Sequence, residues 1–214
     1  MPDMIVLHYT AMQSARAALE RLCDPGAEVS AHYLISECGE IWQMVGEDQR
    51  AWHAGAGQWG AVSDVNSRSI GIELANTGAH PFPEPQMQAL EGLMHAIMAR
   101  WSIPPERVIA HSDMAPLRKF DPGARFDWRR LARGGLSVWP GQALPEAETG
   151  AGAFLAAAER FGYAPGGADD LEPILSAFRL RFRPNAIGPL AADDCGAIEA
   201  LAARFPVDRA RPTA

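Results

Sequence analysis

The stretch His111-Ser-Asp-Met-Ala-Pro-Leu-Arg-Lys-Phe-Asp121-Pro-Gly123 gathers an imidazole, a carboxylate and a lysine into a short span. Asp121 precedes a proline, which biases it toward extended backbone, and in an extended run Lys119 and Asp121 project to the same side. Two further groups close apolar runs upstream: His8 follows Met4-Ile-Val-Leu7, and Glu73 sits in Ser69-Ile-Gly-Ile-Glu-Leu74. Two neutral imidazoles and a carboxylate are the ligand inventory of a hydrolytic zinc site, which keeps its fourth position open for water. On that reading His8, His111 and Asp121 hold the metal. Glu73 would move a proton between water and leaving amine, and Lys119 would stabilise an oxyanion.

Each residue also has a plainer reading. A lone strand histidine such as His8 is more often structural than a ligand, and Lys119 taken alone is an ordinary surface lysine. Glu73 shares an apolar strand with Ile70, Ile72 and Leu74, where it could be a half-buried acid paired with Arg68 or Arg50. His32 and His53 lie in polar-aromatic contexts and could line a pocket, with a hydrogen-bonded structural role the expectation for His32. His80 and His95 read as loop and helix-surface residues. Cys23 and Cys38 lack an activating neighbour in sequence, which disfavours a cysteine nucleophile.

The elements that must position these groups can be read from periodicity. Ile5 to Thr10 is β-rich, and Ser14 to Leu22 carries Ala15, Ala18, Leu19 and Leu22 at helical spacing. Ala31 to Ser36 and Ile41 to Val45 form a predicted hairpin with Gly39 in its turn. Ser69 to Leu74 is a further strand. Pro85 to Trp101 is a helix with its apolar stripe on Met87, Leu90, Leu93, Met94, Ile97, Met98 and Trp101. Arg107 to His111 reads as a short strand. Strands alternating with helices predict an α/β fold, a mixed central β-sheet flanked by helices, with His8, Glu73 and His111 late in their strands at one sheet edge. After a turn-rich stretch, Phe154 to Phe161, Leu171 to Phe182 and Asp193 to Phe205 predict a small three-helix module, with Arg179, Arg181 and Arg183 decorating the end of its second helix. The expected organisation is residues 1–140, a linker at 141–150, the module at 151–208 and a tail at 209–214.

The 214 residues are 48% hydrophobic and 21% charged, ordinary for a globular chain able to bury a core without staples. A net charge of −7 and the lack of a basic tract argue against nucleic acid as a partner. No apolar run is long enough for a transmembrane segment. The chain opens directly on a core strand with no export signal in view, so a cytoplasmic location is expected, with a periplasmic protein trimmed of its leader as the alternative. Cys23, Cys38 and Cys195 are an odd set without paired spacing; reduced thiols are expected, although one disulfide stays open. A monomer is expected.

In order along the chain, Val6-Leu-His8-Tyr-Thr, Val29-Ser-Ala-His-Tyr-Leu-Ile35, Arg50-Ala-Trp-His-Ala-Gly55, Asn66-Ser-Arg-Ser-Ile-Gly-Ile-Glu-Leu74, Val108-Ile-Ala-His-Ser-Asp-Met-Ala-Pro116, Arg118-Lys-Phe-Asp-Pro-Gly123 and Phe126-Asp-Trp128 form one series. This series resembles the zinc-dependent N-acetylmuramoyl-L-alanine amidases of the amidase-2 family, which share their fold with peptidoglycan recognition proteins and T7-type lysozyme. The resemblance implies zinc on His8, His111 and Asp121, with Glu73 as the acidic catalytic residue and Lys119 as the transition-state lysine. The implied reaction is hydrolysis of the amide between the lactyl group of N-acetylmuramic acid, or its 1,6-anhydro form, and L-alanine of the stem peptide. Muropeptides or peptidoglycan fragments are the implied partners, and Asn66, Arg50, Trp52 and His53 match segments bordering the substrate groove. The C-terminal helices resemble the peptidoglycan-binding-like module of envelope amidases, with Phe178-Arg-Leu-Arg-Phe-Arg-Pro184 at the helix-end signature. A non-catalytic muropeptide-recognition protein is the competing expectation, since the same fold serves both roles.

Overall fold

A computed structural model describes residues 1–141 and 148–207. Most of the expected linker, the last residue of the expected module and the expected tail lie outside the described residues. Five strands form one sheet: β1 (Met4–Tyr9), β2 (Tyr33–Ile35), β3 (Ile41–Gln43), β4 (Ser69–Leu74) and β5 (Val108–Ala110). Their order is β3-β2-β4-β1-β5, with β2, β4, β1 and β5 mutually parallel and β3 antiparallel at one edge as the arm of the expected hairpin. Helix α1 (Ala15–Leu22) starts where Ser14 accepts a hydrogen bond from the Ala17 N–H, and α2 (Glu84–Trp101) opens with a proline in its first turn.

Alternation along the strands gives the sheet two different faces. Ile5, Leu7, Ile70, Ile72, Leu74, Val108 and Ala110 point to one face, where they pack with Met87, Leu90, Met94 and Ile97 of α2. That cluster also takes in Trp128 and Leu131 of α4 (Trp128–Arg133). Met4, Val6 and Ile109 point to the other face and share a single apolar cluster with the three C-terminal helices, α5 (Ala151–Phe161), α6 (Leu171–Phe182) and α7 (Ala192–Arg204). Trp59 bridges the two parts: its ring meets Phe161 and Tyr163 edge-on at 5.5 and 5.2 Å. Gly162, at φ +143°, lies so close that an added Cβ would sit 2.3 Å from the indole. The helices therefore form the second covering layer of the sheet.

Three local expectations differ from what is observed. His111 is not the last residue of a strand: β5 ends at Ala110, and His111 begins the one-turn helix α3 (His111–Met114). The cause is Asp113, whose carboxylate accepts the Ala110 N–H at 2.8 Å and turns the chain there. The arginines of α6 do not decorate a surface. Arg181 is 1% exposed and ion-paired with Asp113, while Arg179 is paired with the buried Asp194. Helix α4 was not anticipated, although Asp127 caps it through the Arg130 N–H at 2.9 Å and Gly134 follows it, both ordinary boundary signals. Among the described residues no helix is long and apolar enough to cross a membrane, and Cys23, Cys38 and Cys195 are unpaired.

Candidate metal centre and active site

Parallel register puts the chemistry in one row. His8 on β1 lies opposite Glu73 on β4, and Leu7 lies opposite Ala110 on β5, so His111 comes level with His8 at the carboxyl ends of three adjacent strands. This is where open parallel sheets form crevices. A cleft of about 300 Å³ opens there, lined by His8, Glu73, His111, Lys119 and Asp121. Lys119 and Asp121 both border it, while Phe120 between them is exposed.

The proton inventory of the histidines can be read outward from two backbone carbonyls. His111 Nε2 lies 2.9 Å from the Ala54 carbonyl, which only accepts, so Nε2 carries the proton and Nδ1 is a bare lone pair. The Ser69 hydroxyl donates to the Val65 carbonyl at 2.6 Å and lies 3.3 Å from His53 Nε2, so it accepts from that nitrogen. His53 Nδ1 is then an acceptor for His8 Nε2–H at 3.0 Å, which leaves His8 Nδ1 bare as well. The two bare nitrogens are 2.9 Å apart, and each is 3.0 Å from Asp121 Oδ2. Three acceptors converge with no proton among them. A cation resolves that repulsion.

Electrostatics agree with this assignment. Burial, with the neighbouring His111 imidazole second, lowers His8 to about 4, so it is neutral at physiological pH. Burial alone would raise Asp121, but the two imidazoles, each of which would bond its carboxylate on taking up a proton at Nδ1, outweigh it and hold its carboxyl well below the usual range. Neutral imidazole beside ionised carboxylate is the protonation state metal binding needs. A tetrahedral ion with bonds of about 2.0–2.2 Å sets its donors roughly 3.3–3.6 Å apart, a few tenths wider than the spacing here. These residues fit a metal ion.

Glu73 faces the same cleft, and neither Arg68 nor Arg50 partners it. Arg68 pairs with Asp3 and Arg50 with Asp64, while Glu73 Oε2 is buried without a hydrogen bond. Burial, with the Asp121 charge second, raises its carboxyl to about 8, and the field of Lys119 opposes the shift. A half-buried acid with one unpartnered, buried oxygen in a cleft is the signature of a proton-transfer group.

The four residues expected at the groove are placed differently from one another. Trp52 is 58% exposed and lines the cleft, with the Arg50 guanidinium stacked 4.2 Å behind its ring. Asn66 is buried, its Oδ1 accepting the N–H groups of His53 and Ala54 at 3.0 and 2.8 Å. His53 stands behind His8, and Gly71 leaves room for it: an added Cβ would lie 2.3 Å from His53 Cγ. Gly71→Ala is therefore expected to push His53 off His8 and cost about 1–3 kcal/mol, a melting-point loss of several degrees on thermal unfolding. His32 is structural, accepting the Gly71 N–H and donating to the Gln49 carbonyl.

A family model described as N-acetylmuramoyl-L-alanine amidase matches residues 1–124, more than half of the sequence. The chain belongs to this amidase family. AmiD of Escherichia coli, an N-acetylmuramoyl-L-alanine amidase, is 36% identical over 96% of this chain and 84% of its own length. The structure of AmiD with anhydro-N-acetylmuramic acid-L-Ala-D-γ-Glu-L-Lys superposes with a TM-score of 0.87 at 35% identity, covering 97% of this chain and 91% of that one. AmpDh3 of Pseudomonas aeruginosa matches with a TM-score of 0.88 at 30% identity over 95% of this chain and 92% of that chain. The 1,6-anhydro-N-acetylmuramyl-L-alanine amidase AmpD of Haemophilus influenzae is 42% identical, but only over 48% of this chain and 56% of its own. The first two likenesses extend through the C-terminal helices of this amidase, beyond the segment the family model spans.

Reading the sequence missed two residues that organise this amidase site. Arg118 donates to the Ala54 carbonyl at 2.6 Å and to Ala56 at 2.9 Å, pinning the loop whose Ala54 carbonyl orients His111. Asp113 shapes the turn that carries His111. Both lie within three residues of a candidate metal ligand in the sequence, yet an acid that accepts a backbone N–H and an arginine that caps carbonyls leave no periodic signal.

Proposed function

We propose that this chain is a zinc amidase that cleaves 1,6-anhydro-muropeptides between the lactyl group of the sugar and L-alanine of the stem peptide. The convergence of His8 Nδ1, His111 Nδ1 and Asp121 Oδ2, three acceptors without a proton, carries the reading. Two imidazoles and one carboxylate with room for a further ligand suit zinc. When bound, the ion supplies an electrophile and makes water easier to deprotonate.

The chain's own groups do the rest. Glu73 takes a proton from the attacking water and returns it to the alanine nitrogen as the amide breaks, so atoms and charge balance over one turnover. Its elevated proton affinity suits both halves of that task. Lys119, whose positive charge acts on both His8 and Glu73, stabilises the negative oxygen of the tetrahedral intermediate. Trp52 offers its exposed face to the substrate at the cleft wall. The anhydro-muramyl choice is supported by the ligands found with AmiD and AmpDh3, an anhydro-muramyl tripeptide and an anhydromuramic pentapeptide.

We place the enzyme in the cytoplasm because Cys23 and Cys38 are exposed, unpaired thiols, which suit a reducing compartment. Fractionation of cells expressing the native gene tests this, and recovery in the envelope would overturn it. The activity reading is tested by mass spectrometry of anhydro-muramyl and ordinary muramyl peptides incubated with the zinc-loaded protein. Faster release of stem peptide from the anhydro form is expected. Tight binding without product would favour a recognition protein instead.

A further inference from the structure

We propose that Arg181 of α6 is a positioning residue for the metal centre, reaching from the C-terminal helices to fix the turn that presents His111. The proposal rests on the metal reading above. Arg181 brackets that turn from both sides. One guanidinium nitrogen, Nη1, donates to Asp113 Oδ2, while Nη2 donates to the Val108 carbonyl at 2.8 Å and to Ser137 Oγ at 3.1 Å. Val108 opens β5 and Asp113 lies in α3, so the four residues between them, His111 included, hang between two points held by one side chain. Tyr163, also from the C-terminal region, donates to the second carboxylate oxygen at 2.7 Å. The guanidinium itself packs against the rings of Trp128 and Phe182, at 4.4 and 4.7 Å.

The same turn governs two ligands. The Ser112 N–H donates to the Asp121 carbonyl at 3.1 Å, so a shift of α3 moves His111 directly and Asp121 through its backbone. Because the three donor atoms meet within 3.0 Å of one another, small displacements matter. Stability alone does not account for the arrangement: both side chains are wholly buried, and apolar replacements of buried ion pairs are often as stable or more so. What Arg181 and Asp113 provide is one defined backbone position. Arg179 makes an instructive contrast. It pairs with Asp194 and bonds the Gly188 and Pro189 carbonyls, all within the C-terminal helices and their loop.

The test compares Arg181→Met with Arg179→Met in the full-length protein, measuring melting temperature, metal affinity by chelator competition, and the visible absorption of the cobalt-substituted site. Both variants are expected to melt lower. Only Arg181→Met should weaken metal binding, by about 10- to 100-fold as other outer-sphere changes do, alter the cobalt bands, and lower kcat with KM little changed. If Arg181→Met does not fold, the pair Asp113→Asn with Arg181→Met removes both buried charges while keeping an acceptor for Ala110, and the same result is expected of it. Wild-type affinity and an unchanged cobalt spectrum in either of these, with loss confined to melting temperature, would overturn the proposal. A wild-type chain that gave no cobalt spectrum would overturn the metal reading itself and this inference with it.

Discussion

Glu73→Gln should lose about 10²- to 10⁴-fold in turnover while still binding metal, because it removes the proton carrier and leaves His8, His111 and Asp121 untouched. The same change should stabilise the metal-free fold in mild alkali. Burial raises the native carboxyl from 4.5 to about 8, so between those values the native state binds more protons than the unfolded chain, and stability falls as pH rises. Glutamine cannot ionise, so Glu73→Gln should show less loss of melting temperature between pH 6 and pH 9 than wild type. His8 works in the opposite sense. Its native value of about 4 lies below 6.5, the unfolded chain binds more protons in that window, and the metal-free protein should weaken as pH falls through it. Thermal melts of metal-free wild type and variant across pH 4–9 check both slopes. A variant that keeps the wild-type alkaline slope would remove Glu73 as its source.

A chain ending at residue 140 should fail to fold as a cooperative unit. It would bare Met4, Val6 and Ile109, which share one core with Phe154, Phe161, Phe178 and Ile198. It would also strip Asp113 of Arg181 and Tyr163. Leaving one partner of a buried pair uncompensated costs about 3–5 kcal/mol, against a total stability of roughly 5–15 kcal/mol for a typical domain. The exposed face would add aggregation. Calorimetry of the truncated chain is expected to show no sharp transition. A sharp transition with retained activity would restore the view of the C-terminal helices as a separable module.

The three C-terminal helices were legible from their apolar spacing, and their observed bounds fall within a few residues of the expected ones. What covers what was not legible, because the spacing of Phe178 and Phe182 marks an apolar face without naming its partner. Arg181 looked like surface charge because its partner Asp113 is far away in sequence. The strand ends carrying His8 and Glu73 followed from alternation, and the register that sets them opposite each other follows from pairing over all of β1 and β4. His111 was displaced from its expected strand by one local hydrogen bond, from the Ala110 N–H to Asp113. Glu73 is the instructive case: from sequence an arginine partner was as good an account as catalysis, and only the positions of Arg50 and Arg68 decide against it.

The most direct test of the account is to incubate the zinc-loaded protein with anhydro-muramyl tetrapeptide, with and without chelator, and identify the products by mass spectrometry. Free anhydro-muramic sugar and an intact stem peptide beginning at L-alanine are expected, abolished by chelation and restored by zinc. Cleavage that persists in metal-depleted protein, or intact substrate in every sample, would contradict it.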